Sequence, residues 1–220
     1  MRLNKYIAQA TGLSRRAADE AIAQNRVRVN GQLPSAGQQV SHDDQVTLDG
    51  VTIAPAAGST TIMLNKPAGY VSSREGQGSR TIYDLLPAEL HSLKPVGRLD
   101  KDSSGLLLLT DDGQLAHQLT HPSFQKTKIY EVQLDKPLQP LHRQLISDYG
   151  VTLEDGRSQL SLERLTEGDD TQWQVTMHEG RNRQIRRTFG SLGYDVVRLH
   201  RTQFGAYRLD SLKPGTYRTE

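Results

Sequence analysis

The sequence predicts an α+β protein in two parts, a small N-terminal domain over residues 1–53 and a larger one over residues 61–220. Three observations lead there. Residues 2–24 carry apolar side chains at helical spacing, and short alternating strands follow them. Residues 54–60, Ala-Pro-Ala-Ala-Gly-Ser-Thr, have the small, Pro- and Gly-bearing composition of a linker. Beyond the linker, strand-like runs alternate with short helical ones, and 220 residues are enough for two such parts.

Composition narrows the function. The chain has no cysteine, which excludes disulfides, thiol catalysis and thiolate metal sites. No run of about 18 apolar residues is present to span a membrane. No apolar signal core opens the chain, since Met1-Arg2-Leu3-Asn4-Lys5-Tyr6 already reads as an amphipathic helix. A cytoplasmic protein without metal or cofactor is the expectation. Net charge is only +2, so the information lies in where the arginines cluster.

In the first part, Leu3, Tyr6, Ile7 and Ala10 mark one helix, and Gly12 breaks it. Ser14 is a good N-cap for a second helix over residues 15–24, with Ala17, Ala18, Ala21 and Ile22 on its buried side. Arg15 and Arg16 stand at the first turn of that helix, where the dipole disfavours cations, so an anion is expected nearby. Arg26-Val27-Arg28-Val29-Asn30-Gly31 alternates basic and apolar and then turns at Asn-Gly, and Val46-Thr47-Leu48 is a further short strand. Residues 2–50 resemble the alpha-L RNA-binding domain of a small-subunit ribosomal protein and of several RNA-modifying enzymes. The resemblance implies phosphate contacts from Arg15, Arg16, Arg26 and Arg28, which supply affinity without reading sequence.

In the second part, residues 61–71 read as a strand, a Lys66-Pro67-Ala68-Gly69 turn and a second strand, followed by a polar surface loop over residues 72–80. Tyr83, Leu85 and Leu86 begin a short helix or turn that stops before Pro87. Gly97-Arg98-Leu99-Asp100-Lys101-Asp102-Ser103-Ser104-Gly105 is a charged loop that runs straight into Leu106–Leu109, whose lack of alternation predicts a strand buried on both faces. Asp111 or Asp112 caps a helix over residues 114–120. Residues 127–134 alternate, with Tyr130, Val132 and Leu134 on one face, and residues 137–149 read as a helix carrying Leu138, Leu141, Leu145 and Ile146. Strands surround Leu160, Leu162, Trp173, Val175 and Met177. Asn182 is the expected cap of a helix with Ile185, Phe189 and Leu192 on its apolar stripe, ending at Gly193, before a last strand through Val196 and Leu199.

Candidate chemistry centres on Asp100. An Asp in such a turn is commonly a local cap, but its company is unusual. Arg183, Arg186 and Arg187 fall at i, i+3 and i+4, which puts them on one helix face in need of anionic partners. One arrangement pairs Arg186 with Asp100 and leaves the remainder for RNA phosphates. Tyr130 offers a flat partner to a base in a chain poor in aromatics. Asp102, Asp111 and Asp112 read as turn and cap residues.

The run from Gly97 to Gly113, the Lys128-x-Tyr130 pair and Glu179-Gly-Arg-Asn-Arg-Gln-Ile-Arg-Arg187 are similar to the RsuA/RluB-type pseudouridine synthases, over nearly the whole chain. The resemblance implies a mixed, mainly antiparallel central sheet flanked by helices in the second part. It implies that Asp100 is the nucleophile, Tyr130 stacks on the uracil, Arg186 pairs with Asp100, Arg98 helps extrude or position the base, and Ile185 lines the pocket. Arg181, Arg183 and Arg187 then join the RNA-binding set. The expected partner is ribosomal RNA or a ribosomal precursor particle, bound by a monomer. The 179–187 run looks more like the large-subunit (23S) enzymes, whereas the opening nine residues and residues 63–71 look like the small-subunit (16S) enzyme. Two other classes compete, a non-catalytic ribosome-assembly factor and a carboxylate glycosidase, for which Asp102 is the nearby second acid. Two departures from the family are expected to matter little: the missing C-terminal tail, and Thr188 in place of a larger apolar residue, which predicts looser packing behind the pocket.

Overall fold

The computed structural model describes residues 1–41, 43–55 and 58–220, so Ala56 and Ala57 of the expected linker lie outside the described residues. The chain divides into two compact units, Met1–Ser59 and Thr60–Glu220.

In the first unit, helices α1 (Leu3–Thr11) and α2 (Arg15–Ala23) pack on a three-stranded antiparallel sheet of β1 (Val27–Val29), β2 (Val46–Leu48) and β3 (Val51–Ile53). Gly12 ends α1 in a left-handed conformation (φ 76°), and the Ser14 hydroxyl accepts the Ala17 N–H to start α2. The core is Leu3, Tyr6, Ile7, Ala18, Ala21, Val27, Val29, Val40 and Val46. Small residues at 18 and 21 let the two helices approach closely.

The second unit is built on strands β4 (Thr61–Lys66), β5 (Lys94–Val96), β6 (Ser104–Thr110), β7 (Lys128–Leu134), β8 (Val151–Leu153), β9 (Gly156–Ser158), β10 (Ser161–Arg164), β11 (Gln172–Met177), β12 (Val196–Phe204), β13 (Tyr207–Arg208) and β14 (Tyr217–Thr219). Its central sheet has the order β10-β11-β7-β12-β6-β4-β14, with β13 on β12 and β5 on β6, while β8 and β9 form a separate hairpin. Only the β12–β6 pair is parallel among its registered neighbours, so the sheet is mixed and mainly antiparallel. Helices α3 (Gly113–Thr120), α4 (Pro140–Gln144) and α5 (Gln184–Gly190) complete it.

The unalternating leucines have a direct cause. Leu107 and Leu109 of β6 join Ile62 and Leu64 of β4 in one core with Trp173 and Phe189. Leu106 and Leu108 join Met63, Val96, Leu119 and Phe204 in a second core on the opposite face. The sheet is covered on both sides here, so all four residues 106–109 are apolar.

Several local expectations change. Val71 makes one parallel bridge to Thr81 instead of a second strand, because the intervening loop returns through Val71 N–H to Arg80 O and Ile82 N–H to Val71 O. The 137–149 helix is a short α4 followed by one wider turn, Leu145–Tyr149, and Leu141 points to solvent while Leu138 and Ile146 are buried. Asp112 is the cap of α3, accepting from the Gln114 and Leu115 N–H groups, and Asp111 instead accepts from Thr60. Helix α5 is capped at Arg183, not Asn182, and ends at Gly190, before the expected stop at Gly193. Thr188 does not loosen the packing: it is fully buried, with its hydroxyl 2.8 Å from Ser158 Oγ and 2.9 Å from the Gln184 carbonyl.

The parallel β6–β12 junction depends on Gly105. Its φ is +105°, and a Cβ there would sit 2.2 Å from the Arg201 carbonyl oxygen and 2.5 Å from its nitrogen. Gly105→Ala is therefore expected to destabilise the protein by about 3 kcal/mol, as a lower midpoint in urea unfolding. A wild-type midpoint in that variant would mean that the strands do not approach so closely.

Candidate active site

The loop holding Asp100 connects β5 to β6 and is pinned through its backbone. Lys66, the last residue of β4, is fully buried, and its ammonium donates to the carbonyls of Pro67 (3.1 Å), Asp100 (3.1 Å) and Ser103 (2.6 Å). The Ser72 hydroxyl donates to the Leu99 carbonyl at 2.8 Å and accepts the Leu99 N–H at 3.2 Å. The Gly69 N–H reaches the Lys101 carbonyl at 2.7 Å from a backbone with φ 93°, which explains the glycine of the Lys-Pro-Ala-Gly turn. With its main chain fixed on three sides, Asp100 presents a carboxylate whose side chain is 35 % exposed.

That carboxylate faces a cleft of about 1250 Å³, lined among others by Arg98, Asp100, Tyr130, Arg183 and Ile185. A volume above the usual range for small ligands suits part of an extended chain. Tyr130 and Ile185 are 8 % and 4 % exposed, so both belong to its apolar wall, while Arg98 is exposed.

The arginines of α5 part company. Arg183, not Arg186, is the cation beside Asp100, with Nη1 3.6 Å from Oδ2. Arg183 also makes paired hydrogen bonds of 3.2 and 3.1 Å to Asp102. Its backbone is left-handed (φ 46°), an uncommon state for a residue with a bulky side chain, and it aims the guanidinium back across the loop. Arg186 is committed elsewhere: Nη1 donates to the Val196 carbonyl at 2.6 Å, Nη2 to the Asp102 carbonyl at 3.0 Å, and Nε lies 3.3 Å from Asp102 Oδ2. The expected Arg186–Asp100 pair is thus replaced by Arg183–Asp100 and Arg186–Asp102, because Arg183 caps α5 from outside the helix in a left-handed conformation and so leaves the face that carries Arg186. Asp102 is consequently more than a turn residue. Burial pushes its carboxyl up, but the Arg183 hydrogen bond and the charges of Arg186 and Arg183 outweigh burial and hold it below the usual range.

Arg181 and Arg187 do not share the face of Arg183. Both converge on Asp155 in the β8–β9 hairpin, at 2.8 and 2.6 Å, and Arg181 also meets Glu179 at 3.2 Å. The anions these arginines require come from a distant hairpin, which sequence proximity could not reveal. Beneath them, Gln184 hydrogen-bonds Ser158 Oγ at 3.0 Å and the Glu179 carboxylate.

In the N-terminal unit, Arg15, Arg16 and Arg28 are exposed, with Arg15 3.4 Å from Asn4 Oδ1 and Arg28 3.4 Å from the Gly31 carbonyl. Arg26 departs from the expected set, since it forms a bidentate pair with Asp49 at 2.8 and 2.5 Å.

Sequence reasoning missed Lys66 and Arg201. Arg201 is 2 % exposed, donates through Nε to the Leu106 carbonyl at 2.8 Å and lies 4.8 Å from the Phe204 ring centre. Lys128 Nζ stands 5.4 Å from the same ring. Burial pulls the Lys66 ammonium down to about 8, against the opposing pull of Asp100 and Asp102, and the Arg201 charge adds to the lowering. Among the described residues no group of acids and histidines could hold a metal ion.

Comparison with known proteins is consistent in one direction. Residues 60–191 match the family model for RNA pseudouridylate synthases, and residues 1–46 match that of the S4 domain. The chain is 38 % identical over 225 residues to the ribosomal small subunit pseudouridine synthase A of Pasteurella multocida, covering 100 % of this chain and 95 % of that protein. It is 35 % identical over 224 residues to the ribosomal large subunit pseudouridine synthase B of Bacillus subtilis, covering 99 % and 91 %. A crystal structure of a pseudouridylate synthase superposes with a TM-score of 0.71 at 37 % identity, covering 100 % of this chain and 96 % of that one.

Replacing Lys66 by Met leaves three loop carbonyls without their donor. The expected loss is about 2 kcal/mol of stability and on the order of 100-fold in kcat, measured by chemical unfolding and single-turnover kinetics. Lys66 also carries a pH signature. Its folded value of about 8 lies below the ordinary lysine value of 10.5, so between those limits the unfolded chain holds a proton that the folded chain has released. This residue therefore makes stability rise with pH from about 8 to 10.5, and its full penalty applies below 8. The rise should be absent from Lys66→Met, and an identical pH profile for both proteins would refute the buried ammonium.

Proposed function

Because the chain belongs to the RNA pseudouridylate synthase family and is a pseudouridine synthase, we propose that it isomerises a specific uridine of ribosomal RNA with Asp100 as nucleophile. The observation that carries this reading is the convergence of the Asp100 carboxylate, the Tyr130 ring and Ile185 on one cleft, with Arg98 and Arg183 beside it. The reaction breaks the N–C glycosidic bond, turns the base over and forms a C–C bond at carbon five, whose proton is lost while the ring nitrogen gains one. It asks for a carboxylate held in one direction and a flat wall to keep the detached base in place.

Asp100 either attacks the anomeric carbon or assists a glycal-type intermediate, and in both routes its fixed backbone limits the search for the reacting geometry. Arg183 holds the carboxylate from one side. Tyr130 stacks on the uracil, and its hydroxyl moves the carbon-five proton. Ile185 lines the wall, and Arg98 helps draw out the base, at a cost of roughly a few kcal/mol in lost stacking. Arg15, Arg16 and Arg28, in the unit matching the S4 domain, grip phosphates and offset that cost. Arg26, Arg181, Arg186 and Arg187 reach RNA only with charge left over from their internal partners.

The domain division follows this labour: residues 1–53 bind RNA, residues 54–60 link, and residues 61–220 catalyse. The chain acts as a monomer in the cytoplasm on ribosomal RNA or a precursor particle. The 179–187 run supports a large-subunit uridine. A small-subunit uridine is the second reading, supported by residues 1–9 and 63–71 and by the names of relatives such as those of Pasteurella multocida and Haemophilus influenzae, each 38 % identical.

Carbodiimide labelling with primer extension across both ribosomal RNAs, in a deletion strain complemented with wild type or Asp100→Asn, tests the assignment. One pseudouridine should vanish on deletion, return with wild type and stay absent with Asp100→Asn, and its position names the subunit. Restoration by Asp100→Asn would remove Asp100 as nucleophile. Release of free uracil would instead favour the glycosidase.

A further inference from the structure

The cleft has an aromatic rim that the chemistry at Asp100 does not use. The end of α3 and the turn after it bring three rings together: His117 and His121 lie 4.8 Å apart, and Phe124 sits 5.9 Å from His117 and 6.2 Å from His121. All three are exposed. Of the three phenylalanines in the chain, Phe189 and Phe204 are at most 1 % exposed, whereas Phe124 is 45 % exposed. A large ring left in water beside two others, in a chain so poor in aromatics, calls for an occupant.

The patch is anchored to the fold. Leu119 anchors α3 in the second core, at 6 % exposure. His121 Nδ1 lies 2.7 Å from Ser123 Oγ and accepts the Ser123 N–H at 3.3 Å, which holds its ring in one orientation. The patch is also continuous with the cleft, because Thr120, His121 and Lys126 line both. Thr120 is the near neighbour of Gly97, three residues before Asp100: a Cβ on that glycine would stand 3.9 Å from Thr120 Cγ2. Lys126 places its ammonium 5.9 Å from the Phe124 ring centre, so flat apolar surface and positive charge occur side by side.

We propose that this patch receives a nucleobase next to the uridine that enters the cleft. The inference rests on the RNA reading above. Extruding one base strips its neighbours of a stacking partner, and a preformed aromatic surface at the mouth replaces it. Lys126 meets the adjoining phosphate. The pairing of exposed rings with a cation suits single-stranded nucleic acid, where every base offers a π-face and every residue a negative charge.

The test uses full-length protein and transcripts of both ribosomal RNAs labelled with tritium at uridine carbon five, from which pseudouridine formation releases the label. Phe124→Ala should raise KM about tenfold with kcat nearly unchanged, the order expected for one lost base–aromatic stack. Phe124→Tyr should restore the wild-type value and Phe124→Leu should not. Thermal melting should be unaltered, since the ring is half in solvent. A direct probe is Phe124→Trp: the one native tryptophan, Trp173, is fully buried, so quenching by added transcript reports position 124. This readout needs no turnover and tests stacking even if the catalytic reading fails. Unquenched Trp fluorescence, or equal KM values for Phe124→Ala and wild type, would overturn the proposal. So would a defect seen only on assembling particles and not on bare transcripts, which would assign the patch to a protein partner.

Discussion

The ammonium of Lys66 under the Asp100 loop is the interaction on which the site depends. A cation is placed where no solvent reaches it, and three carbonyls from two chain segments satisfy it. Carbonyl oxygens turned inward towards Lys66 leave the side chain of Asp100 to face outward. The Asp100 carboxylate is therefore oriented by its backbone, without a bidentate partner that would occupy its lone pairs. Burial of a charge is costly, and the three carbonyls offset that cost.

Around that point the charges are arranged in two groups. Arg183 and Arg186 close on Asp102 with Asp100 alongside, and Arg181 and Arg187 close on Asp155. Helix α5 thus serves as a strut between the Asp100 loop and the β8–β9 hairpin, its buried side sealed by the Gln184, Ser158 and Thr188 contacts. What looked like one basic face is a set of internal ties with some guanidinium surface left towards the cleft. Half-exposed ion pairs of this sort add little stability individually. Their value lies in fixing the distance between two walls of the site.

Twelve of the chain's side chains are aromatic, and their distribution follows the same division. Trp173, Phe189 and Phe204 lie inside the sheet and its cores, Tyr130 stands at the cleft wall, and Phe124 is exposed beside two histidines, as Tyr149 and Tyr217 are exposed elsewhere. Of these rings, Tyr130 and Phe204 line the cleft itself.

The local elements were determined by the sequence itself. Helices α1 and α2, the Ser14 cap, the Asn-Gly turn, the doubly covered β6 strand and the outward–inward pattern of β7 follow from short-range periodicity and capping, which need no distant partner. The Asp100 motif, Tyr130 and Ile185 could also be singled out, because they lie in contiguous motifs or on regular elements. Tertiary structure decided the pairings. Arg183 faces Asp100 because it is the left-handed cap of α5 and so lies outside the helical periodicity that would have grouped it with Arg186. Asp155 and Asp49 meet their arginines from 32 and 23 residues away, and Lys66 meets the Asp100 carbonyl across 34 residues. Such contacts are set by strand order and register, in which β4, β6 and β12 become neighbours although they are far apart along the chain. Periodicity shows which face of an element is buried; only the packed sheet shows what lies against it.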